Sequence, residues 1–124
     1  MALSFQPDKP IYLQIAAHMK REIIAGSYQP GDRLPSIRDM AMIYEVTPNT
    51  IQRALQLLEQ EGILRTARTN GKFITADDAL LRRLRGDVLR ERAAAMTREL
   101  LAYGFSTEEI LSALSDELKG ADSQ

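Results

Sequence analysis

Residues 36–58 read SIRDMAMIYEVTPNTIQRALQLL, a stretch that predicts two helices separated by a short break. The hydroxyl groups of Ser36 and Thr47 can accept hydrogen bonds from the free N–H groups of a first helical turn. Pro48 suits the first position of a helix, where its missing N–H costs nothing. We therefore expect helices over about residues 36–44 and 47–61.

The sequence on either side adds one more helix and a β-hairpin. Before this stretch, four apolar residues recur at every fourth position and predict a helix over about residues 10–25: Ile11, Ile15, Met19 and Ile23. After Gly62, residues 63–66 and 72–75 favour strands and flank Asn70-Gly71, a strong hairpin signal. Three helices followed by a hairpin are the plan of a winged helix-turn-helix.

The last part of the chain, from residue 76 on, is rich in Ala, Leu and alternating charge and carries no strand signal. Its apolar spacing predicts one helix of about 25 residues up to Gly104 and a second helix of about three turns, capped by Ser106. The polar tail from Gly120 to Gln124 is expected to fray. The predicted fold class is mainly α with a small β component, with a winged domain in residues 1–75 and a helical hairpin in residues 76–124.

The long helix predicts an interface with a second copy of the chain. At about 1.5 Å per residue it measures about 37 Å, which is too long for a small domain to cover its apolar stripe. The apolar surface left over predicts a homodimer, and its expected contact residues are Leu81, Leu84, Val88, Leu111 and Leu114.

The composition limits the functions open to a chain of 124 residues. With 44% hydrophobic and 27% charged residues, it is typical of a small globular domain, with no room for a large enzyme. Because it has no cysteine and a single histidine, we predict no metal site, no cofactor and no catalytic residue, and hence no enzyme. No apolar run reaches about 18 residues and no leader pattern occurs, so we expect a cytoplasmic protein without membrane contact.

The net charge of −1 is unevenly distributed along the chain. Residues 1–75 hold nine Lys and Arg against seven Asp and Glu, whereas residues 76–124 hold seven against ten. The cationic front part is weak evidence for an anionic partner, because net charge speaks to association and not to fold.

The predicted third helix has two faces at 100° per residue. Its apolar face, directed to the core, holds Ile51, Ala54, Leu55 and Leu58. The opposite side, called the polar face below, holds Asn49, Gln52, Arg53 and Gln56. Amide side chains can pair with adenine N6/N7 and Arg with guanine O6/N7, so the polar face suits base edges in the major groove of double-stranded DNA.

Other polar residues would support such a contact through phosphates. Ser36 and Arg38 lie in the first turn of the second helix, where N–H groups and a hydroxyl can hold a phosphate. Arg65, Arg68 and Lys72 surround the predicted hairpin tip, as expected of a basic wing over the DNA backbone. A plain helix cap and a solubilising charged hairpin would show the same residues. His18 has no second histidine near it, and we interpret it as a structural or surface residue.

Three blocks of this sequence resemble the GntR family of bacterial transcription regulators over about residues 9–75: Pro10–Ile15, Pro30–Ala41 and Val46–Leu55. The form Pro-Asn-Thr-Ile-Gln-Arg-Ala in the third helix, followed by only about 50 residues after the wing, resembles the YtrA branch. Residues 104–110 resemble the short dimerisation tail of that branch.

The resemblance implies roles for individual residues. Ser36 would touch phosphate, and Arg38 would contact bases or adjacent phosphates. The recognition helix would be lined by Thr47, Asn49, Thr50, Gln52 and Arg53. In the wing the family usually has Arg-Gly-x-Gly before an aromatic residue, whereas here Thr69 replaces the first glycine after Arg68. We expect phosphate contact from Arg68, Gly71 and Lys72, and insertion of the wing into the minor groove stays open.

The leading hypothesis is a sequence-specific transcription regulator, more specifically a repressor, that binds a pseudo-palindromic operator as a homodimer. The alternative is a winged-helix module that docks on proteins without specific DNA recognition. A docking helix more often shows an aromatic or leucine anchor, and the polar face has none. The sequence names no operator, regulated gene or small-molecule effector.

Overall fold

The computed structural model describes residues 4–67 and 71–122, which form five helices and one antiparallel two-stranded sheet. The elements are α1 Ile11–Ala25, α2 Ile37–Tyr44, α3 Pro48–Gln60, β1 Leu64–Ala67, β2 Gly71–Ile74, α4 Asp78–Ala102 and α5 Thr107–Asp122. This order confirms the mainly α fold class, a winged helix-turn-helix followed by two helices.

The helix starts are fixed by the two predicted caps. Asp39 N donates to Ser36 Oγ at 3.0 Å before α2, and Thr50 N donates to Thr47 Oγ1 at 3.3 Å before α3. Each bond satisfies one of the N–H groups that a first helical turn leaves free. At the other end of α1, Gly26 has a φ of 89°, a conformation that side chains with a Cβ rarely adopt.

The core of the winged domain lies between α1, α2, α3 and the hairpin. Its fully buried large side chains are Ile15, Met19, Ile51, Leu55, Leu58, Ile63 and Ile74. Ile11 shares the apolar spacing of α1 but is 42% exposed, because it is the first residue of the helix and no preceding turn covers it. The core therefore begins one turn later than the periodicity predicts.

Both predicted strands are displaced by one residue. The expected strands are 63–66 and 72–75, whereas β1 is Leu64–Ala67 and β2 is Gly71–Ile74. Ile63 belongs to the turn that ends α3, since Ile63 N donates to Leu58 O at 3.0 Å and Gly62 has a φ of 80°. This arrangement is the usual termination of a helix by a left-handed glycine. As a result, β1 begins at Leu64 and pairs with Ile74 of β2.

A third segment, Gly31–Leu34, pairs with the other edge of β2. Gly31 N donates to Ile74 O at 3.1 Å, Ile74 N to Asp32 O at 2.8 Å, and Leu34 N to Lys72 O at 2.9 Å. The base of the wing is therefore hydrogen-bonded on both sides of β2.

The contacts divide the chain into two compact units, the first ending at Arg85 and the second beginning at Gly86. The first turns of α4 belong to the winged unit, because Leu80, Leu81 and Leu84 pack against its core. The boundary predicted from composition follows residue 75 and so precedes α4 altogether.

In the second unit, α5 begins with a reciprocal pair of hydrogen bonds. Glu109 N donates to Ser106 Oγ at 3.1 Å, and Ser106 N donates to Glu109 Oε1 at 2.9 Å. The hydrogen bonds of Ser106, led by that of its backbone N–H, hold the pKa of Glu109 below its ordinary value. The helix continues through Gly120 to Asp122, past the point where the polar tail is expected to begin.

Within the described ranges, 4–67 and 71–122, no helix is long and apolar enough to cross a membrane.

Candidate nucleic-acid interface

The structure confirms the two faces of α3. Ile51, Ala54, Leu55 and Leu58 are buried, whereas the four residues of the polar face are all exposed. The side chains of Asn49, Gln52 and Gln56 form no hydrogen bond with any other residue that the structure describes. Their amide donors and acceptors are therefore available to a ligand.

The two threonines predicted for the recognition helix are engaged in its cap. Thr47 Oγ1 lies 2.9 Å from Thr50 Oγ1 and also accepts from Thr50 N. Thr47 is exposed and Thr50 is partly buried. Both hydroxyl groups lie in the first turn of α3, beside Asn49.

At the start of α2, Ser36 and Arg38 are exposed. Ser36 Oγ accepts the capping bond from Asp39 N, which leaves the hydroxyl hydrogen free to donate. Arg38 forms no ion pair with any residue in the described part of the chain. This corner of the winged domain thus offers a hydroxyl and an uncompensated guanidinium.

Arg53 differs from the rest of the polar face because its guanidinium rests on an aromatic ring. Its Cζ lies 4.0 Å from the centroid of the Tyr12 ring in α1. Tyr12 is partly buried and packs against the core, so the contact joins the recognition helix to a fixed ring. The spacing within α3 predicts that Arg53 is exposed but not that it meets Tyr12.

In the wing, Lys72 is part of a cluster with Glu59 of α3 and Thr66 of β1, called the wing cluster below. Lys72 Nζ forms an ion pair with Glu59 Oε1 and donates to Thr66 Oγ1 at 3.0 Å, and Thr66 Oγ1 donates to Glu59 Oε2 at 2.9 Å. Burial raises the pKa of Glu59, but the hydrogen bonds from Lys72 and Thr66 and the Lys72 charge outweigh it and hold the pKa below its ordinary value. The positive charge of Lys72 is therefore partly compensated inside the protein.

Arg33 and Arg65 lie at the base of the wing without an ion pair among the described residues. Arg65 Cζ lies 5.3 Å from the centroid of the Phe73 ring. A Cβ at Gly71, whose φ is 90°, would lie 3.5 Å from Arg33 Nε. The position of Arg33 could not be predicted from the sequence, because it depends on the pairing of residues 31–34 with β2. Arg68, Thr69 and Asn70 lie outside the described residues.

His18, interpreted from the sequence as a structural or surface residue, contacts two other side chains. Its Nδ1 lies 3.0 Å from the Tyr44 hydroxyl, and its Nε2 lies 3.6 Å from Glu22 Oε1. Burial, followed by the charges of Tyr28 and Glu22, raises the pKa of Tyr44 to about 12. The contact links α1 to the end of α2 and so helps to fix the two helices that carry Tyr12 and Ser36.

The residues assigned to a dimer contact fall in both units. Leu81 and Leu84 pack against the core of their own winged unit. In the second unit, Val88 and Leu114 are partly buried and Leu111 is 62% exposed. Leu114 also lines a groove of about 670 Å³, together with the apolar residues Leu100, Phe105 and Ile110 and the acidic residues Glu108, Glu109 and Asp116.

Comparison with known proteins places this architecture among bacterial regulators. The family model described as "Bacterial regulatory proteins, gntR family" matches residues 11–74, from the start of α1 to the end of β2. The HTH-type transcriptional regulator YhcF of Bacillus subtilis is 36% identical over 116 residues, which are 94% of this chain and 96% of YhcF.

Two further similarities differ in extent. The HTH-type transcriptional repressor YtrA of Bacillus subtilis is 46% identical over 66 residues, about half of each protein: 53% of this chain and 51% of YtrA. A solved GntR family transcriptional regulator from Listeria monocytogenes has a TM-score of 0.86 at 36% identity and covers 90% of this chain and 98% of its own. The similarities to YhcF and to the Listeria regulator thus extend beyond the wing into the last helices.

Proposed function

This chain belongs to the GntR family of bacterial regulatory proteins, as its sequence resemblance predicted, and from that premise we propose that it is a homodimeric repressor. The family assignment makes it a DNA-binding transcription regulator. In the proposed mechanism the dimer occupies a pseudo-palindromic operator and blocks transcription sterically. Two-fold symmetry in the protein calls for two half-sites about one helical turn apart, so that both recognition helices reach the same side of the duplex.

The polar face of α3 is the observation that carries this proposal. Three exposed amides without partners in the described chain and one guanidinium without an acidic partner share one side of a helix. Such groups pair bidentately with adenine and guanine edges in the major groove, whose donor and acceptor pattern distinguishes all base pairs. The specific contacts proposed are those of Asn49, Gln52 and Arg53, with Thr47 and Thr50 at the start of the same helix.

Phosphate contacts are proposed for the groups that surround the polar face. Ser36 and Arg38 would hold the backbone at the start of α2, and the wing would add Arg68, Gly71 and Lys72. Arg33 and Arg65 at the base of the wing extend this set. Contacts to phosphate fix the register of the protein on the duplex, whereas base contacts supply the specificity.

The second unit supports a dimer, because its helices leave their apolar residues uncovered. No residue of α4 or α5 is buried, and the large apolar side chains left exposed between residues 86 and 122 are Leu89, Met96, Leu101, Tyr103, Phe105, Leu111 and Leu118. Large apolar side chains left exposed in such number are typical of a surface that another molecule covers. A second copy, which brings the same apolar helices, is the proposed occupant. The repressor role is proposed because YtrA, with which this chain shares 46% identity over 66 residues, is named a transcriptional repressor.

The test is a selection of genomic DNA fragments by the purified protein, run beside two double variants. Asn49→Ala with Arg53→Ala removes two base-reading groups from the polar face. Arg21→Ala with Gln29→Ala is the matched control, since it removes an arginine and an amide that are exposed outside α3.

Wild type and control are expected to recover the same two-fold symmetric motif, and the polar-face variant is expected to lose it. Recovery of the motif by all three proteins would refute the role of the polar face. Recovery of random fragments by the wild type would refute specific recognition and favour a protein-docking module.

A further inference from the structure

Within the described ranges, the stack between Arg53 and Tyr12 joins the polar face of α3 to α1 through a charged group. Arg53 Cζ lies 4.0 Å above the Tyr12 ring centroid, within the range of a cation–π contact. Arg53 is exposed, whereas Tyr12 is partly buried and packs against the core. The Tyr12 ring is therefore held by the core, and the exposed Arg53 side chain can align with it.

The start of α1, where Tyr12 lies, is itself held in place by a side-chain clamp. Gln14 Oε1 accepts from Gln6 N at 2.8 Å, and Gln14 Nε2 donates to Gln6 O at 2.9 Å and to Lys9 O at 3.0 Å. These bonds tie the segment before α1 to its first turn. One turn further on, Ile15 and Ala16 are buried. The part of α1 that carries Tyr12 is thus held both by the Gln14 hydrogen bonds and by the burial of Ile15 and Ala16.

Stacking orients a guanidinium without using any of its hydrogen-bond donors. The five N–H groups of arginine point outward in the plane of the group, and Arg53 Cζ, at the centre of that plane, lies over the Tyr12 ring. A carboxylate partner would instead occupy two of those donors, and the described residues give Arg53 no such partner. Lys72 differs from Arg53 in this respect, because its ammonium group forms an ion pair with the Glu59 carboxylate.

We propose that Tyr12 is a positioning residue for DNA recognition, whose ring holds the Arg53 guanidinium in the plane it needs to donate two parallel hydrogen bonds to a base edge. This inference rests on the proposed function, since it takes α3 to be the recognition helix. Free arginine side chains lose much rotamer freedom on binding, and a ring that holds the group beforehand reduces that loss. Tyr12 itself touches no base.

The test measures binding of the full-length protein to the operator recovered by genomic selection and to the same duplex with scrambled half-sites. Tyr12→Phe keeps the ring and is expected to bind within about twofold of wild type. Tyr12→Leu keeps an apolar side chain but loses the ring, and its affinity is expected to fall about two- to fivefold per half-site. In the Arg53→Gln background the Tyr12→Leu change is expected to have no effect, because the group that the ring positions is gone.

An isosteric electron-poor ring separates electrostatic stacking from packing. With Tyr12 replaced by trifluorophenylalanine, binding is expected to fall below that of Tyr12→Phe, although the shape of the ring is kept. This comparison decides the matter even if Tyr12→Leu does not fold, which circular dichroism would reveal. Equal binding by the two aromatic variants would overturn the proposal, as would an equal loss from Tyr12→Leu in both Arg53 backgrounds. A loss in Tyr12→Phe as large as that in Tyr12→Leu would assign the effect to the hydroxyl and overturn it too.

Failure of the proposed function has a different signature. In that case genomic selection would recover no motif, and the wild type would bind any recovered fragment and a scrambled duplex equally, before any variant is compared. The stack can still be observed without DNA, through the ring-current shift of the Arg53 side-chain resonances that Tyr12→Leu should abolish. A wild type that prefers the operator but shows no coupling between Tyr12 and Arg53 would overturn this inference alone.

Discussion

Replacement of Glu59 by Gln tests how firmly the wing cluster holds the wing to α3. Glu59 pairs with Lys72 and accepts from Thr66, and 29% and 19% of the Glu59 and Lys72 side chains are exposed. Gln keeps the shape and one hydrogen-bonding oxygen but loses the charge. Because the pair is partly exposed, solvent screening keeps its contribution small, and we expect the free energy of unfolding at pH 7 to fall by about 1 kcal/mol. For a domain of this size that corresponds to a drop in Tm of about 4–8 °C.

Glu61→Gln provides a matched control on the same helix end. Glu61 pairs with Lys20 at 2.8 Å, but its side chain is 40% exposed and that of Lys20 is 26% exposed. The expected loss is about 0.5 kcal/mol or less, as for most exposed ion pairs. Urea unfolding followed by circular dichroism measures both variants against the wild type.

The pH dependence gives the decisive comparison. The pKa of Glu59 is lower in the folded protein than its ordinary value, so ionised Glu59 stabilises the fold fully above the unfolded pKa of about 4.3. That contribution is lost as the pH falls through the folded pKa. The difference between wild type and Glu59→Gln should therefore shrink between pH 7 and about pH 3. A difference that is independent of pH, or no larger than that of Glu61→Gln, would refute the reasoning.

Three further predictions concern the cap, the core and the second unit. Thr47→Ala removes the acceptor for Thr50 N and is expected to cost about 1 kcal/mol in urea unfolding, whereas Thr47→Ser keeps the hydroxyl; equal losses would contradict the cap. Leu58→Ala opens a cavity at a fully buried position and is expected to cost about 2–5 kcal/mol in the same assay; a loss under about 1 kcal/mol would mean that the core collapses around it. Leu114→Asp places a charge in the apolar groove of the second unit and is expected to shift analytical ultracentrifugation profiles from dimer to monomer; a wild type that sediments as a folded monomer would refute the dimer itself.

The parts of the fold that the sequence predicts well are those with local causes. Ser36 and Thr47 act on N–H groups three residues away, and the two faces of α3 follow from the helical repeat alone. Gly26 and Gly62 end their helices in the left-handed conformation, which a glycine just past the end of a predicted helix already indicates. The winged plan and the exposure of the polar face could therefore be predicted residue by residue.

The parts that could not be predicted depend on contacts between distant segments. Tyr12 and Arg53 lie on different helices, and Glu59 meets Lys72 only because the hairpin folds back on α3. Gly120 resembles a helix stop in the sequence, but it stays within α5. Periodicity identifies which side chains are exposed, whereas the partner of each exposed charge is decided by tertiary structure.

The pairing of β2 on both edges makes the number of residues between Gly31 and Ser36 a fixed quantity in this fold. Leu34 bonds to Lys72 through its backbone and is only 3% exposed, while Ser36, two residues later, caps α2. Successive side chains of an extended segment point to opposite sides. One inserted residue would therefore turn each following side chain to the opposite side. Such an insertion would disturb the packing of Leu34 and the start of α2 together. We therefore expect length variation among relatives to avoid this segment.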